Sequence, residues 1–399
     1  MRVAFVTPRY GPEVMGGAET AARMLAEHLV RELGWDVEAY STCALDAVTW
    51  ADELAQGDST INGVAVHRFS SPAGRSPDFY ELDGRLRLAP GEANRSESRR
   101  WVDLNGPVSP DLVDAVLASR ADVVAFYPYL YHPTVACIGR VPVPAVLHPA
   151  AHDEPALYLK VFRETFLHAD ALCYHTAAER RLVQRIHPVA DHPQIVLGLG
   201  VGEPAGTGRP GGGLLGLGDR PYLVSVGRVD EHKGSAMLAR FFLRYKERRP
   251  GPLAMAFVGP VTCRIPDDPD LVVTGVVDEA EKWDVVGGAL ASVSPSALES
   301  FSLVVLEAWE AGVPVVVNGT CDPTREHCER SGGGLWFSSY AEFEAVVDRL
   351  AADVGLRRRL AANGKAYVDR YFQWPTLIRR YATFLHGVGE RGRGRAGVR

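Results

Sequence analysis

Short apolar runs alternate with helical patterns along this chain, stop at a glycine-rich stretch, and then begin again. Nothing else in the sequence restricts the fold as much as that repeated layout. Residues 2–7 are a β-branched run that reads as a buried strand, and after a Gly/Pro-containing loop Ala21, Leu25, Leu29 and Leu33 recur at helical spacing. Further strands are expected at 36–41, 64–69, 122–127, 143–147 and 170–174, with helices between several of them. Ser109-Pro110 reads as an N-cap followed by proline at the first helical position, and Thr176 to Glu179 has capping-box spacing. Strands alternating with helices imply a parallel sheet covered on both faces. Residues 70–100, rich in Pro, Gly, Ser and Arg, break the rhythm as a long loop or a partly helical insertion.

Between residues 198 and 218 fall ten glycines and two prolines, a density that no strand or helix interior carries. A linker is therefore expected over 198–219, joining an N-terminal domain of residues 1–200 to a C-terminal domain of 220–371. A chain of 399 residues also favours two domains, at roughly 150 residues each. In the second domain strands are expected at 221–226, 253–258, 290–294 and 313–317, and helices at 235–248 and 303–311. The two halves share one α/β layout, so a ligand is expected between facing sheet edges, outside the carboxyl ends of the strands. Residues 351–385 read as helical throughout, and 388–399, with four arginines and four glycines, as a disordered basic tail. Such a tail leaves room for peripheral contact with an anionic membrane.

The balance of 43 basic and 49 acidic residues gives a net charge of −6, which argues against nucleic-acid binding through overall positive charge. Any anion has to be held locally. Six scattered cysteines, Cys43, Cys137, Cys173, Cys263, Cys321 and Cys328, read as reduced cytosolic thiols. No signal peptide or membrane span is read, because Pro8 interrupts the opening apolar run and Glu307 and Glu310 interrupt residues 303–317. A cytoplasmic protein is expected, and the Ala, Gly and Arg bias points to a GC-rich bacterial genome.

Three segments carry chemistry. Gly16-Gly17-Ala18-Glu19 opens the first helix after the first strand, where unpaired N–H groups suit a phosphate or sugar and a plain flexible turn is the alternative. Residues 226–234 follow another strand with Arg228 and Lys233 five positions apart, a planar fork and a point charge suited to a diphosphate leaving group, or a merely solvated loop. The spacing is not that of a Walker phosphate loop. Residues 294–315 hold Glu299 and Glu307 on a loop and a helix with Ser302 as N-cap. Glu307 sits among apolar helix neighbours, so it either accepts ligand hydroxyls or a cation, or faces solvent.

Taken together, E-x7-E running into L-E-A-x-x-A-G-V-P-V, V-G-R-x4-K-G and the N-terminal G-G-A-E resemble the family-four retaining glycosyltransferases, which use nucleotide sugars and have the GT-B fold. The resemblance is dense from Tyr222 to Val317. It implies two doubly wound, Rossmann-like α/β domains facing across a cleft, with the last helix, 372–387, packing back on the first domain. It further implies that Glu307 binds the nucleotide ribose, Glu299 contacts the donor sugar, and Arg228 and Lys233 hold the diphosphate. Amides near Phe301 and Ser302 would face that diphosphate, and Gly16 and Gly17 would line the N-domain side. The family also tends to carry a His-Asp pair at the reacting face of the sugar. Here His152-Asp153 fits that pattern better than His148, which competes with it. No cofactor and no bound metal are implied; Cys321, His327 and Cys328 lack a fourth ligand.

The expected activity is retaining transfer of a hexose-type sugar from a UDP- or GDP-linked donor to a hydroxyl of a glycan, a lipid-linked or a small-molecule acceptor. Residues 318–335 depart from the Gly-rich G-x-x-E segment of many relatives, which leaves the donor open. One alternative is a glycosidase using Glu299 and Glu307, which needs carboxyls about 5 Å or 6.5–9.5 Å apart and leaves Arg228 and Lys233 idle. Another is a nucleotide-sugar-binding protein with little turnover. A nicotinamide-dependent dehydrogenase lacks its G-x-G-x-x-G.

Overall fold

The structure is a computed structural model and describes residues 1–396. It divides into two compact units, one made of Met1–Leu199 with the chain from Pro375 onward, the other of Gly200–Trp374. Among the described residues, no helix is long and apolar enough to cross a membrane.

The first unit carries β1 (Arg2–Val6), β2 (Asp36–Thr42), β3 (Gly57–Ile61), β4 (Val64–Phe69), β5 (Val123–Phe126), β6 (Ala145–Leu147), β7 (Ala171–Tyr174) and β8 (Gln194–Val196). They form one sheet in the order β3-β4-β2-β1-β5-β6-β7-β8, parallel throughout except for the β3–β4 hairpin. Val3, Ala4, Phe5 and Val6 are all fully buried, as a parallel strand covered on both faces requires. The hairpin turns at Asn62-Gly63, with φ of 48° and 85°, the left-handed pair that matches strand twist in a two-residue turn.

Residues 70–100 are mostly helical: Asp78–Leu88 and Arg95–Asn105 flank a short 3₁₀ turn. Phe79, Leu82, Leu86, Trp101 and Val102 turn inward onto the core of the first unit, and Asn94 and Glu97 close a reciprocal capping box. Of the two expectations, a long loop or a partly helical insertion, the second holds; exposed positions carry the Arg, Ser and Gly, while the few apolar residues recur at helical spacing.

The second unit carries β9 (Tyr222–Val226), β10 (Ala254–Val258), β11 (Leu271–Gly275), β12 (Ala291–Ser294), β13 (Val315–Asn318) and β14 (Gly334–Phe337). Their order is β11-β10-β9-β12-β13-β14, all parallel. The core between sheet and helices joins Leu223, Met255, Phe257 and Val316 to Leu238, Phe242 and Phe343.

Three expectations change. The glycine-rich stretch 198–219 does not hang free between the units: from Gly200 it packs within the second one. Thr207 bonds Asp284 through its N–H at 2.9 Å, and a Cβ on Gly211 would meet the Tyr222 hydroxyl at 2.5 Å. Close approach accounts for Gly200, Gly206, Gly211 and Gly212, and a left-handed φ for Gly198, Gly208, Gly216 and Gly218. Residues 351–385, expected to be helical throughout, are interrupted at Asp353 and at Phe372 and Gln373 between the helices Tyr340–Ala352, Val354–Tyr371 and Trp374–Ala396, the second capped by Asp353 through the Leu356 N–H at 2.8 Å. The expected disordered tail is helical as far as Ala396, where Val388 is buried and Gly389 lies against Val123; residues 397–399 lie outside the described residues.

Trp309, fully buried, donates to the Gly333 carbonyl at 2.8 Å and presses its ring against Gly364, where a Cβ would overlap it. Gly364→Ala is expected to destabilise the protein by about 1–3 kcal/mol, as overpacking of a closed core does. Urea unfolding checks this, and an unchanged midpoint would show that the ring can shift at no cost.

Candidate functional site

In a doubly wound sheet the ligand crevice lies where neighbouring strands send their connections to opposite sides. In the second sheet that point is between β9 and β12, because β10 flanks β9 on the other side. The loops leaving these two strands carry residues 227–234 and 295–302. Gly234 brings them together: its φ is +79°, and a Cβ there would stand 2.9 Å from the Pro295 carbonyl oxygen, so both backbone and space call for glycine.

Lys233 Nζ reaches across and donates to Glu299 Oε1 at 2.6 Å. Asp230, buried, accepts the Lys233 N–H at 2.6 Å and the Arg228 Nε–H. Arg228, Asp230, Lys233 and Glu299 thus form one connected chain. The Arg228 and Lys233 side chains remain 56% and 37% exposed, so both cations are held by carboxylates yet open to an anion.

After Glu299 the chain turns through Phe301, which is buried edge-on against His327 and Phe372, and Ser302, which has a φ of +75°. Ser302 stands at the N-cap position of helix Leu303–Glu310 but makes no side-chain cap bond, and its buried hydroxyl has no partner. A strained non-glycine residue at a helix N-terminus is a feature of working sites. Glu307 faces neither bulk solvent nor apolar neighbours: it binds Lys282 Nζ at 3.0 Å, and Lys282 also holds Glu279 at 2.7 Å. Burial pulls the Lys282 pKa down, but Glu307 and Glu279 outweigh it and the net shift is upward.

In the first sheet the corresponding switch point is between β1 and β5. Gly16 precedes helix Gly17–Leu33, and a Cβ there would collide with the Arg9–Glu19 ion pair. That pair is buried, with Arg9 Nη2 to Glu19 Oε1 at 2.5 Å. Gly17 has open space beside it. His148, directly after β6, is fully buried, stacked on Tyr127 at 4.2 Å and bonded through Nε2 to the Tyr381 hydroxyl at 2.8 Å. Burial, helped by His175, holds it well below the usual histidine range. His152 is 33% exposed and stands 3.4 Å from Glu154, whereas Asp153 turns to the surface and takes the Tyr158 hydroxyl at 2.7 Å and Arg185 at 3.2 Å.

Residues 215–367 match the family model for glycosyl transferases group 1. An α-maltose-1-phosphate synthase of Mycobacterium tuberculosis is 26% identical over 94% of this chain and 96% of its own. Sucrose-phosphate synthase from Thermosynechococcus elongatus superposes with a TM-score of 0.69 at 16% identity, covering 97% of this chain and 98% of its own. Anabaena HepE in complex with UDP and glucose gives 0.66 at 16% identity, over 97% of this chain and 100% of its own. The chain has the GT-B fold, and residues 215–367 of its second unit are similar to the group 1 glycosyl transferases.

The motif residues of the second unit fall into two bonded groups, Arg228–Asp230–Lys233–Glu299 and Glu307–Lys282–Glu279. Reading the sequence gave no role to Asp230 or Lys282. Lys282 had one signal, being one of only five lysines. Cys321, Cys328 and His327 are packed core residues; the His327 ring lies edge-on to Phe301 and Trp309, and burial takes its pKa to about 3.

Glu179, quoted for its capping spacing, has a larger part. Its carboxylate accepts the N–H of Ala151 at 2.8 Å and of His175 at 2.6 Å, fixing the backbone next to His152 and beside Ala150, whose φ is +51°. Burial raises its pKa from 4.5 to about 7, against the lowering effect of those N–H groups. A raised pKa means that the fold favours the protonated form, so this contribution to stability is complete below the unfolded value and lost as pH climbs through the folded one. Glu179→Gln cannot ionise, and its melting temperature is expected to gain on the parent's between pH 4.5 and 7.5. A difference that stays constant over that range would contradict the assignment.

Proposed function

We propose that the protein is a retaining glycosyltransferase that moves a hexose-type sugar from a nucleoside-diphosphate donor, UDP- or GDP-linked, to an acceptor hydroxyl. The Lys233–Glu299 pair carries this reading. It bridges the two loops at the switch point of the second sheet, inside the segment that matches the group 1 model. The complex of Anabaena HepE with UDP and glucose supports a nucleotide-sugar donor.

Charge collects on the departing diphosphate as the C1–oxygen bond lengthens. Preorganised cations at that position are the largest catalytic lever available, and Arg228 and Lys233 supply them. Glu299 orients Lys233 and accepts sugar hydroxyls; Glu307 accepts the ribose hydroxyls, with Lys282 holding its carboxylate. Amides at Phe301 and Ser302 add helix N-terminal dipole to the phosphate. The acceptor oxygen attacks C1 on the face that the diphosphate leaves, and its proton passes to the departing phosphate oxygen, so no separate base is needed. In the first unit His152 rather than the buried His148 is the histidine open to a sugar, and Gly17 leaves open space at the start of the first helix while Gly16 makes room for the Arg9–Glu19 pair. Each glutamate holds a lysine ammonium, a poor setting for the proton-donating carboxyl of a glycosidase.

Lys233→Ala is expected to lower release of nucleoside diphosphate by about 10²–10³-fold, the usual effect of removing one transition-state charge partner, with little change in melting temperature. Near-parental turnover in that variant would overturn the reading.

A further inference from the structure

Residues 318–321 have no part assigned so far, yet they stand beside the loop that carries Glu299. β12 leaves the sheet after Ser294, which pairs with Val317 of β13. Backbone pairing ends there, and Asn318, the last residue of β13, adds one bond beyond it with its side chain. Its Nδ2 donates to the Pro295 carbonyl at 2.9 Å. The amide is locked in that orientation, because its Oδ1 accepts the Thr320 N–H at 3.0 Å and the Thr320 hydroxyl at 2.8 Å.

The same Pro295 oxygen faces Gly234, where a Cβ would stand 2.9 Å from it. One oxygen of a buried residue therefore touches both segments and sets how close the loop after β9 comes to the loop after β12. A buried acceptor needs a donor, and Asn318 supplies it. Ser296, 2% exposed, bonds the Leu298 carbonyl through its hydroxyl at 3.1 Å, which stiffens the turn that leads from Pro295 to Glu299. Cys321, 1% exposed, turns its sulfur to the Glu299 N–H. Lys233 directly precedes Gly234 and Glu299 ends the stiffened turn, so their 2.6 Å contact depends on where Pro295 is seated.

We propose that Asn318 is a positioning residue: its amide seats the Pro295 carbonyl against Gly234 and so brings Glu299 within reach of Lys233. Asn318 acts through Glu299 and touches neither cation. The expected effect on turnover rests on the transfer reading above, whereas the effect on the Lys233–Glu299 pair does not.

Asn318→Ala and Thr320→Val test it on the full chain. Thr320 is exposed, so the second substitution unlocks the amide and leaves the core intact. Acylation by acetic anhydride, quantified for each lysine by peptide mass spectrometry, reads the pair directly, with the exposed Lys160 as internal reference. Relative to Lys160, Lys233 is expected to react roughly two- to fivefold faster in both variants, the scale of a partly exposed ion pair, and to do the same in Glu299→Gln. An unchanged Lys233 rate in both variants would overturn the proposal. Release of nucleoside diphosphate from UDP-glucose, UDP-N-acetylglucosamine and GDP-mannose supplies a second readout. Asn318→Ala is expected to lower it about tenfold or more, as a small misplacement of a catalytic group does, but by less than about twofold in a Glu299→Gln background, because residues acting through one group are not additive. A loss of equal size in both backgrounds would make Asn318 merely structural and overturn its positioning role. Release of no nucleoside diphosphate by the parent would sink the transfer reading instead, and Lys233 acylation would still decide the part of Asn318.

Discussion

The account depends on one contact, the Lys233 ammonium against the Glu299 carboxylate at 2.6 Å. It ties the loop after β9 to the loop after β12, and those loops leave the sheet where its strand order reverses. Asp230 completes the arrangement by holding the Lys233 backbone and the Arg228 side chain together. Two carboxylates preset two cations, and both cations stay partly open to solvent. In the proposed reaction a diphosphate arriving there would meet positive potential that is already oriented, which would lower the reorganisation cost of stabilising a leaving group.

The two units use buried charge differently. In the second, cations face outward from carboxylate supports, and Glu307 sits on Lys282. In the first, carboxylates hold backbone: Glu179 fixes Ala151 and His175, while Glu19 is closed on Arg9. The first arrangement suits binding of an anion, and the second suits holding a histidine-bearing loop in one conformation.

Much of this was legible in the chain. The helix expected over 235–248 is Ser235–Arg248 to the residue, because Gly234 marks its start and apolar residues recur regularly behind it. β3 was missed because Gly57–Ile61 is a polar, exposed edge strand with no inward face to set a pattern, although Asn62-Gly63 signalled its turn. β8 and β14 are three- and four-residue strands, too short for period-two alternation to register. Arg228, Lys233, Glu299 and Glu307 stood out through motif spacing. Lys282 did not, since its place against Glu307 arises from what lies opposite it in space. The His152-Asp153 pair favoured His152 over His148 from sequence, and the fold adds the stacking of His148 on Tyr127 and its bond to Tyr381.

The most direct measurement is calorimetric titration of UDP against uridine, and of GDP against guanosine, on the parent and on a variant carrying Arg228→Ala and Lys233→Ala. For the nucleotide whose base the site accepts, the parent should prefer the diphosphate by roughly 10–100-fold, the scale of one charge-assisted contact, and the variant, left with only the amides at Phe301 and Ser302, should lose most of that preference. A preference undiminished by loss of both cations would contradict the account.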